Sequence, residues 1–93
     1  MPRQTEAKLQ VDRIVGINVR ELREARKMKP GDLASQLGLT PDAINKIERG
    51  ERGLNVAQLV HLSQIFDVSL ERLVYVRGVK PRIIPFLKTV ITG

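Results

Sequence analysis

Cysteine and tryptophan are absent from this 93-residue sequence, and one tyrosine, two phenylalanines and a single histidine are all it has of the larger ring side chains. Without cysteine there is no disulfide scaffold and no thiolate metal site. His61 is the only histidine and there is no cysteine to join it, so no His/Cys metal cluster is available, and no Ser/His/Asp constellation with the spacing of a nucleophilic site is recognised in the sequence. No glycine-rich loop has the spacing that cradles phosphate, so neither a cofactor nor a metal is expected. No apolar run approaches the roughly 20 residues needed to cross a bilayer, and the first ten residues lack a signal-peptide core. A cytoplasmic protein without a membrane partner is the expectation. A chain of this length forms one domain with a small core, which argues against a deep catalytic cleft and against an enzyme.

Acidic residues are also missing from one stretch. Residues 72–93 carry five basic side chains and no acidic ones, residues 1–29 carry eight and four, and residues 30–71 carry three and six, which together give the net charge of +6. The middle is therefore acidic and both flanks are basic. Such flanks suit an anionic partner, which can be a nucleic acid or an acidic protein. The hydrophobic content of 42% is too high for a disordered chain, so most of the protein is expected to fold.

The apolar pattern is helical throughout. Val11, Val15, Val19, Leu22 and Ala25 recur at three- and four-residue steps, which predicts a first helix from Val11 to Met28. Ile14 and Ile17 widen its apolar arc, so a terminal segment or a second subunit is expected to cover them. Pro30 starts a second helix that runs to Leu37 and ends at Gly38. Thr40 and Pro41 are an N-cap and a first-turn proline, opening a third helix to about Arg49 with Ile44 and Ile47 inward. Asn55 and Gln58 have capping-box spacing ahead of a fourth helix with Leu59, Leu62, Ser63 and Phe66 inward and His61 exposed. Ser69 caps a short fifth helix in which Leu70, Leu73 and Val74 point one way. The tail carries Ile83, Ile84, Leu87, Val90 and Ile91 at the spacing of one helical face, interrupted by Pro81 and Pro85. Nothing reads as a dependable strand.

The stretch from Leu33 to Gly50 has the requirements of a helix-turn-helix: small Ala34 where two helices cross, Gly38 in the turn, Ile44 and Ile47 against the core. With Val15-Gly16, Arg20 to Arg23, Leu33-Ala34, Gly38 to Thr40, Ile44, Ile47 to Gly50 and Asp67 to Leu70 in register, the chain resembles the lambda-repressor/Cro-like helix-turn-helix proteins, or XRE family, from about Val15 to Val74. The resemblance implies an all-α, five-helix lambda-repressor-like domain that places its third helix in the DNA major groove, usually as a homodimer. On that basis residues 1–10 are expected to be a flexible basic arm, 11–75 the DNA-binding domain, and 76–93 a C-terminal extension whose stripe of Ile83, Ile84, Leu87, Val90 and Ile91 dimerises. The base-reading set carried over is Pro41, Asp42, Ala43, Asn45 and Lys46. Their chemistry fits cytosine for Asp42, a thymine methyl for Ala43, adenine for Asn45, and guanine or phosphate for Lys46. Asp42 serves equally as a first-turn acid on the helix dipole. Lys29, Thr40, Arg49 and Arg52 are the phosphate set, although Lys29 and Arg52 fit solvated charges as well. Arg23 and Glu48 match a structural ion pair. Two features depart from the family: Pro30 replaces a phosphate-binding glutamine, and Asp32, Asp42 and Glu51 put negative charge near the expected DNA face. The expected function is a sequence-specific transcriptional regulator, a dimeric repressor on a two-fold operator. The alternative is an antitoxin-like or adaptor module whose tail binds a protein partner.

Overall fold

A computed structural model describes residues 6–76. The expected dimerisation stripe, Ile83, Ile84, Leu87, Val90 and Ile91, and the basic residues Arg3, Arg77, Lys80 and Arg82 lie outside the described residues. Among the described residues five helices follow one another: α1 (Glu6–Ala25), α2 (Pro30–Leu37), α3 (Pro41–Glu48), α4 (Val56–Phe66) and α5 (Leu70–Val74). There is no strand among the described residues.

The helix boundaries follow local chemistry. Pro30 and Pro41 each occupy a first-turn position whose N–H would be unpaired anyway. Gly38 takes the left-handed conformation at φ 69° that ends α2, and Leu39 N–H closes the turn on the Ala34 carbonyl. Thr40 Oγ1 accepts from Ala43 N–H at 3.1 Å. Both halves of the Asn55 and Gln58 capping box are made, at 2.7 and 3.0 Å. Ser69 Oγ accepts from Arg72 N–H to open α5.

Helix α1 differs from its periodicity at both ends. It begins at Glu6, so residues 6–10 of the expected flexible arm are helical. Glu6, Ala7, Lys8, Leu9 and Gln10 are all good helix formers, and Lys8 reaches Asp12 one turn on at 2.7 Å, so this extension needs no core contact. It ends at Ala25, not Met28, because reversing into α2 within four residues requires Lys27 in the left-handed region at φ 55°. Val11 and Ala25 at the two ends are exposed, which leaves Val15, Val19 and Leu22 as the buried stripe.

That stripe meets Leu33 and Ala34 of α2, Ile44 and Ile47 of α3, Leu62 and Phe66 of α4, and Leu73 of α5. Leu70 turns outward, contrary to the expectation for α5, while Leu73 is fully buried. Ile17 is 62% exposed and, with Ile14, Asn18, Glu21 and Val76, lines a shallow groove, so the wide apolar arc of α1 has a surface left for another segment.

Asn18 is the polar residue buried inside the stripe. Its Nδ2 donates to the carbonyls of Leu73 and Tyr75, both at 2.9 Å, which ties the end of α5 to α1. Asn18→Leu strands two carbonyls that end a helix, and a loss of about 1–3 kcal/mol is expected in urea unfolding. A midpoint equal to that of the parent protein would show that water replaces the amide at no cost.

Candidate nucleic-acid interface

Helix α3 is two-sided. Ala43, Ile44 and Ile47 are buried and fix one face to the core, while Pro41, Asp42, Lys46 and Arg49 are exposed and Asn45 is half-buried beside them. Of the five residues expected to read bases, Ala43 therefore does not belong. It is 5% exposed, with its methyl in the core and its N–H on Thr40, because 100° per residue carries it to the inner face between Asp42 and Ile44. The remaining four share the outer side, and Pro41 offers them shape but no hydrogen bond.

The first turns of α2 and α3 lie together. A Cβ at Gly31 would sit 3.8 Å from the Pro41 ring, so Lys29, Pro30, Thr40 and Pro41 gather at one edge. Asp32, one of the acids expected to oppose DNA, is partly occupied here: its carboxylate accepts the Lys29 N–H at 2.8 Å and caps α2. The Lys29 side chain is exposed. Thr40 keeps its hydroxyl hydrogen for another acceptor, because its oxygen serves as the cap.

The cations of the outer face are internally paired. Lys46 Nζ lies 3.4 Å from Asp42 Oδ2 across one turn. Arg49 makes a fork to Glu51, Nε to Oε2 at 2.9 Å and Nη2 to Oε1 at 3.2 Å. These hydrogen bonds hold the Glu51 carboxyl below the usual range and raise the Arg49 guanidinium further above its own. Arg52 is exposed on the loop after α3, beside Asp12 and Leu59 of the neighbouring helices. Sequence reasoning missed Arg13. Its side chain lies against Gly50, where a Cβ would come within 2.9 Å of Cγ, so it borders the end of α3. Its place one helical turn before Gly16 was the available signal, but only the crossing of α1 and α3 gives it a location.

Behind the interface, Arg23 Nε and Nη2 donate to Glu48 at 2.7 and 3.0 Å, and Arg23 Nη1 donates to the Met28 carbonyl at 2.7 Å. The pair joins α1, the α1–α2 turn and the end of α3. Another unforeseen tie is Arg26, whose guanidinium stands 5.1 Å from the Phe66 ring centre and donates to the carbonyls of Leu22 and Phe66.

These features define a helix-turn-helix unit tied from behind to α1 by the Arg23–Glu48 pair. The helix-turn-helix family model HTH_3 matches residues 19–73, more than half of the chain, and the protein belongs to that family, the XRE type. The HTH-type transcriptional regulator RamB of Mycobacterium tuberculosis is 39% identical over 54 residues, which is 58% of this chain and 11% of RamB. The chain thus spans about a tenth of the length of that curated relative. The restriction-modification controller protein C.AhdI from Aeromonas hydrophila superimposes with a TM-score of 0.61 at 27% identity, covering 67% of this chain and 94% of the controller. Hydroxypropylphosphonic acid epoxidase from S. wedmorenis superimposes with a TM-score of 0.66 at 30% identity over 70% of this chain, but over only 35% of the epoxidase. The likeness to an enzyme is therefore a likeness to part of it. Among the described residues no group of His, Cys, Asp or Glu can hold a metal ion, and no helix is long and apolar enough to cross a membrane.

Proposed function

We propose that this protein is a DNA-binding transcriptional regulator that inserts α3 into the major groove. The observation that carries the reading is the two-sidedness of α3: its inner face is buried in the core, and its outer side carries exposed Asp42 and Lys46 with half-buried Asn45 between them. In this reading those three residues read base edges and Pro41 shapes the entry of the helix. Lys29, Thr40, Arg49 and Arg52 bind the flanking phosphates and set register. Arg13, beside Gly50, joins them.

The protein acts as a homodimeric repressor, occupying a two-fold operator without chemistry of its own. Two recognition helices then lie about 34 Å apart, one turn of duplex. The extension from residue 76 supplies the dimer contact through Ile83, Ile84, Leu87, Val90 and Ile91. The exposed groove at Ile14, Ile17 and Val76, where that extension begins, supports this assignment. RamB and C.AhdI, by their names a transcriptional regulator and a controller protein, support the regulatory role.

Selection of bound duplexes from a randomised pool at physiological salt tests the reading. Enrichment of a two-fold-related sequence is the expected result; retention without any enriched sequence, or no retention, would move the function to a protein partner held by the tail. On the selected site, Lys46→Ala is expected to cost about 1–3 kcal/mol and to relax preference at one base pair. A uniform loss at all sequences, with the salt slope lower by about one, would reassign Lys46 to phosphate.

A further inference from the structure

An XRE-type domain that binds DNA needs exposed cations, yet both cations on the outer face of α3 are engaged by acids of the same surface. The stronger engagement is the fork between Arg49 and Glu51. It is not forced by burial, since the two side chains are 54% and 55% exposed, so each is free to turn to water or to another ion. It is built by the backbone instead. Gly50 takes φ 74°, and Glu51 N–H donates to the Lys46 carbonyl at 2.9 Å, which holds residue 51 folded back over the end of α3. The carboxylate then meets the guanidinium edge-on through Nε and Nη2, the geometry a phosphate would otherwise take. The pair of Lys46 with Asp42 does the same, more loosely, one turn earlier.

We propose that Glu51 is a built-in brake on duplex binding, occupying the Arg49 fork so that a phosphate must displace a carboxylate before Arg49 contributes. This rests on the DNA-binding reading above. A duplex gains affinity by releasing counterions from phosphates neutralised by free cations. A guanidinium already neutralised releases none until its carboxylate leaves, and the freed Glu51 then faces the phosphates with its own charge. Affinity of the core is thereby set below what its arginines would give. Asp42 adds to the brake through Lys46.

Glu51→Gln keeps the shape and removes the charge. With a random-sequence duplex, whose binding is purely electrostatic, this variant is expected to bind about three- to fivefold more tightly than the parent, with a salt slope steeper by about one. Glu71→Gln, on α5, which packs on α1 and α4, makes the same change in net charge away from α3 and is expected to leave both quantities near the parent values. An unchanged or weaker affinity for Glu51→Gln would overturn the brake, and so would an equal gain in Glu71→Gln. Binding by Glu51→Gln where the parent retains no duplex would support it. Failure of both proteins to retain any duplex would overturn the DNA-binding reading and the brake together; a parent that binds, with an indifferent Glu51→Gln, would overturn the brake alone.

Discussion

Gly16→Ala is expected to lower the stability of this domain by about 3 kcal/mol or more, the largest cost of any single methyl added to its glycines. Alanine at a helix interior normally gains about 1 kcal/mol over glycine, so the sign is a contest. Here the new Cβ would sit 2.3 Å from the Ile47 carbonyl oxygen and 2.8 Å from that of Glu48. Both atoms belong to backbone, so no rotamer change relieves the contact. Either α1 or the end of α3 must shift, and each is fixed by buried Val15, Val19, Ile44 and Ile47. Two other glycines provide the scale. At Gly38 a Cβ meets nothing within 4 Å but must adopt φ 69°, which costs about 1–2 kcal/mol. At Gly31 a Cβ makes only an ordinary contact with Pro41 within a helix, so Gly31→Ala is expected to be neutral or to stabilise. Urea unfolding of the three variants should rank them in that order. Equal midpoints for Gly16→Ala and Gly38→Ala would mean that α3 can slide on α1 and is held less firmly than this packing indicates.

The starts of α2 to α5 were legible because each is written in local chemistry: Pro30, Thr40 before Pro41, Asn55 with Gln58, Ser69. The role of Gly16 was not, although its position fits the family pattern, because its reason is an approach of backbone across some 30 residues of sequence. Asn18 and Arg26 were missed for the same cause: both satisfy carbonyls at the ends of distant helices, and only the fold tells which ends come near. The start of α1 was misplaced because residues 6–10 are helical by propensity without an apolar stripe, and periodicity detects only helices that bury one. In the candidate site the outer residues Asp42, Asn45 and Lys46 follow from a 3.6-residue repeat once Ile44 and Ile47 point inward. Ala43 entered the base-reading set through the family resemblance, whereas the same repeat that turns Asp42, Asn45 and Lys46 outward turns Ala43 toward the core. The pair of Asp42 with Lys46 was within reach of reasoning from its one-turn spacing, but whether Arg49 meets Glu51 depends on the turn at Gly50.

Glu48→Ala is expected to cost about 3–5 kcal/mol, a large part of the roughly 5–15 kcal/mol that stabilises a domain. Arg23 and Glu48 side chains are only 10% and 6% exposed, so removing the carboxylate leaves a guanidinium buried with its Nε and Nη2 hydrogens unpaired. The partner change is not symmetrical. Arg23→Ala strands the Glu48 carboxylate and also takes away the donor on the Met28 carbonyl, which helps to hold the α1–α2 turn beside left-handed Lys27. It is therefore expected to cost at least as much as Glu48→Ala. Removing both charges together is a different matter, because the desolvation penalty disappears along with the attraction. Arg23→Met with Glu48→Leu should recover most of the stability lost by either single change, measured by urea unfolding of all four proteins. Affinity for the selected duplex should follow stability in the single variants and separate from it in the double. If the pair only supports the fold, the double variant binds DNA as the parent does. If the fork also fixes the angle at which α3 leaves the core, the double variant folds and binds weakly, and Arg23 with Glu48 sets the presentation of Asn45 and Lys46. Additive losses in the double variant, with no recovery, would show that apolar side chains cannot fill the space between α1 and α3 and that the charges are required there.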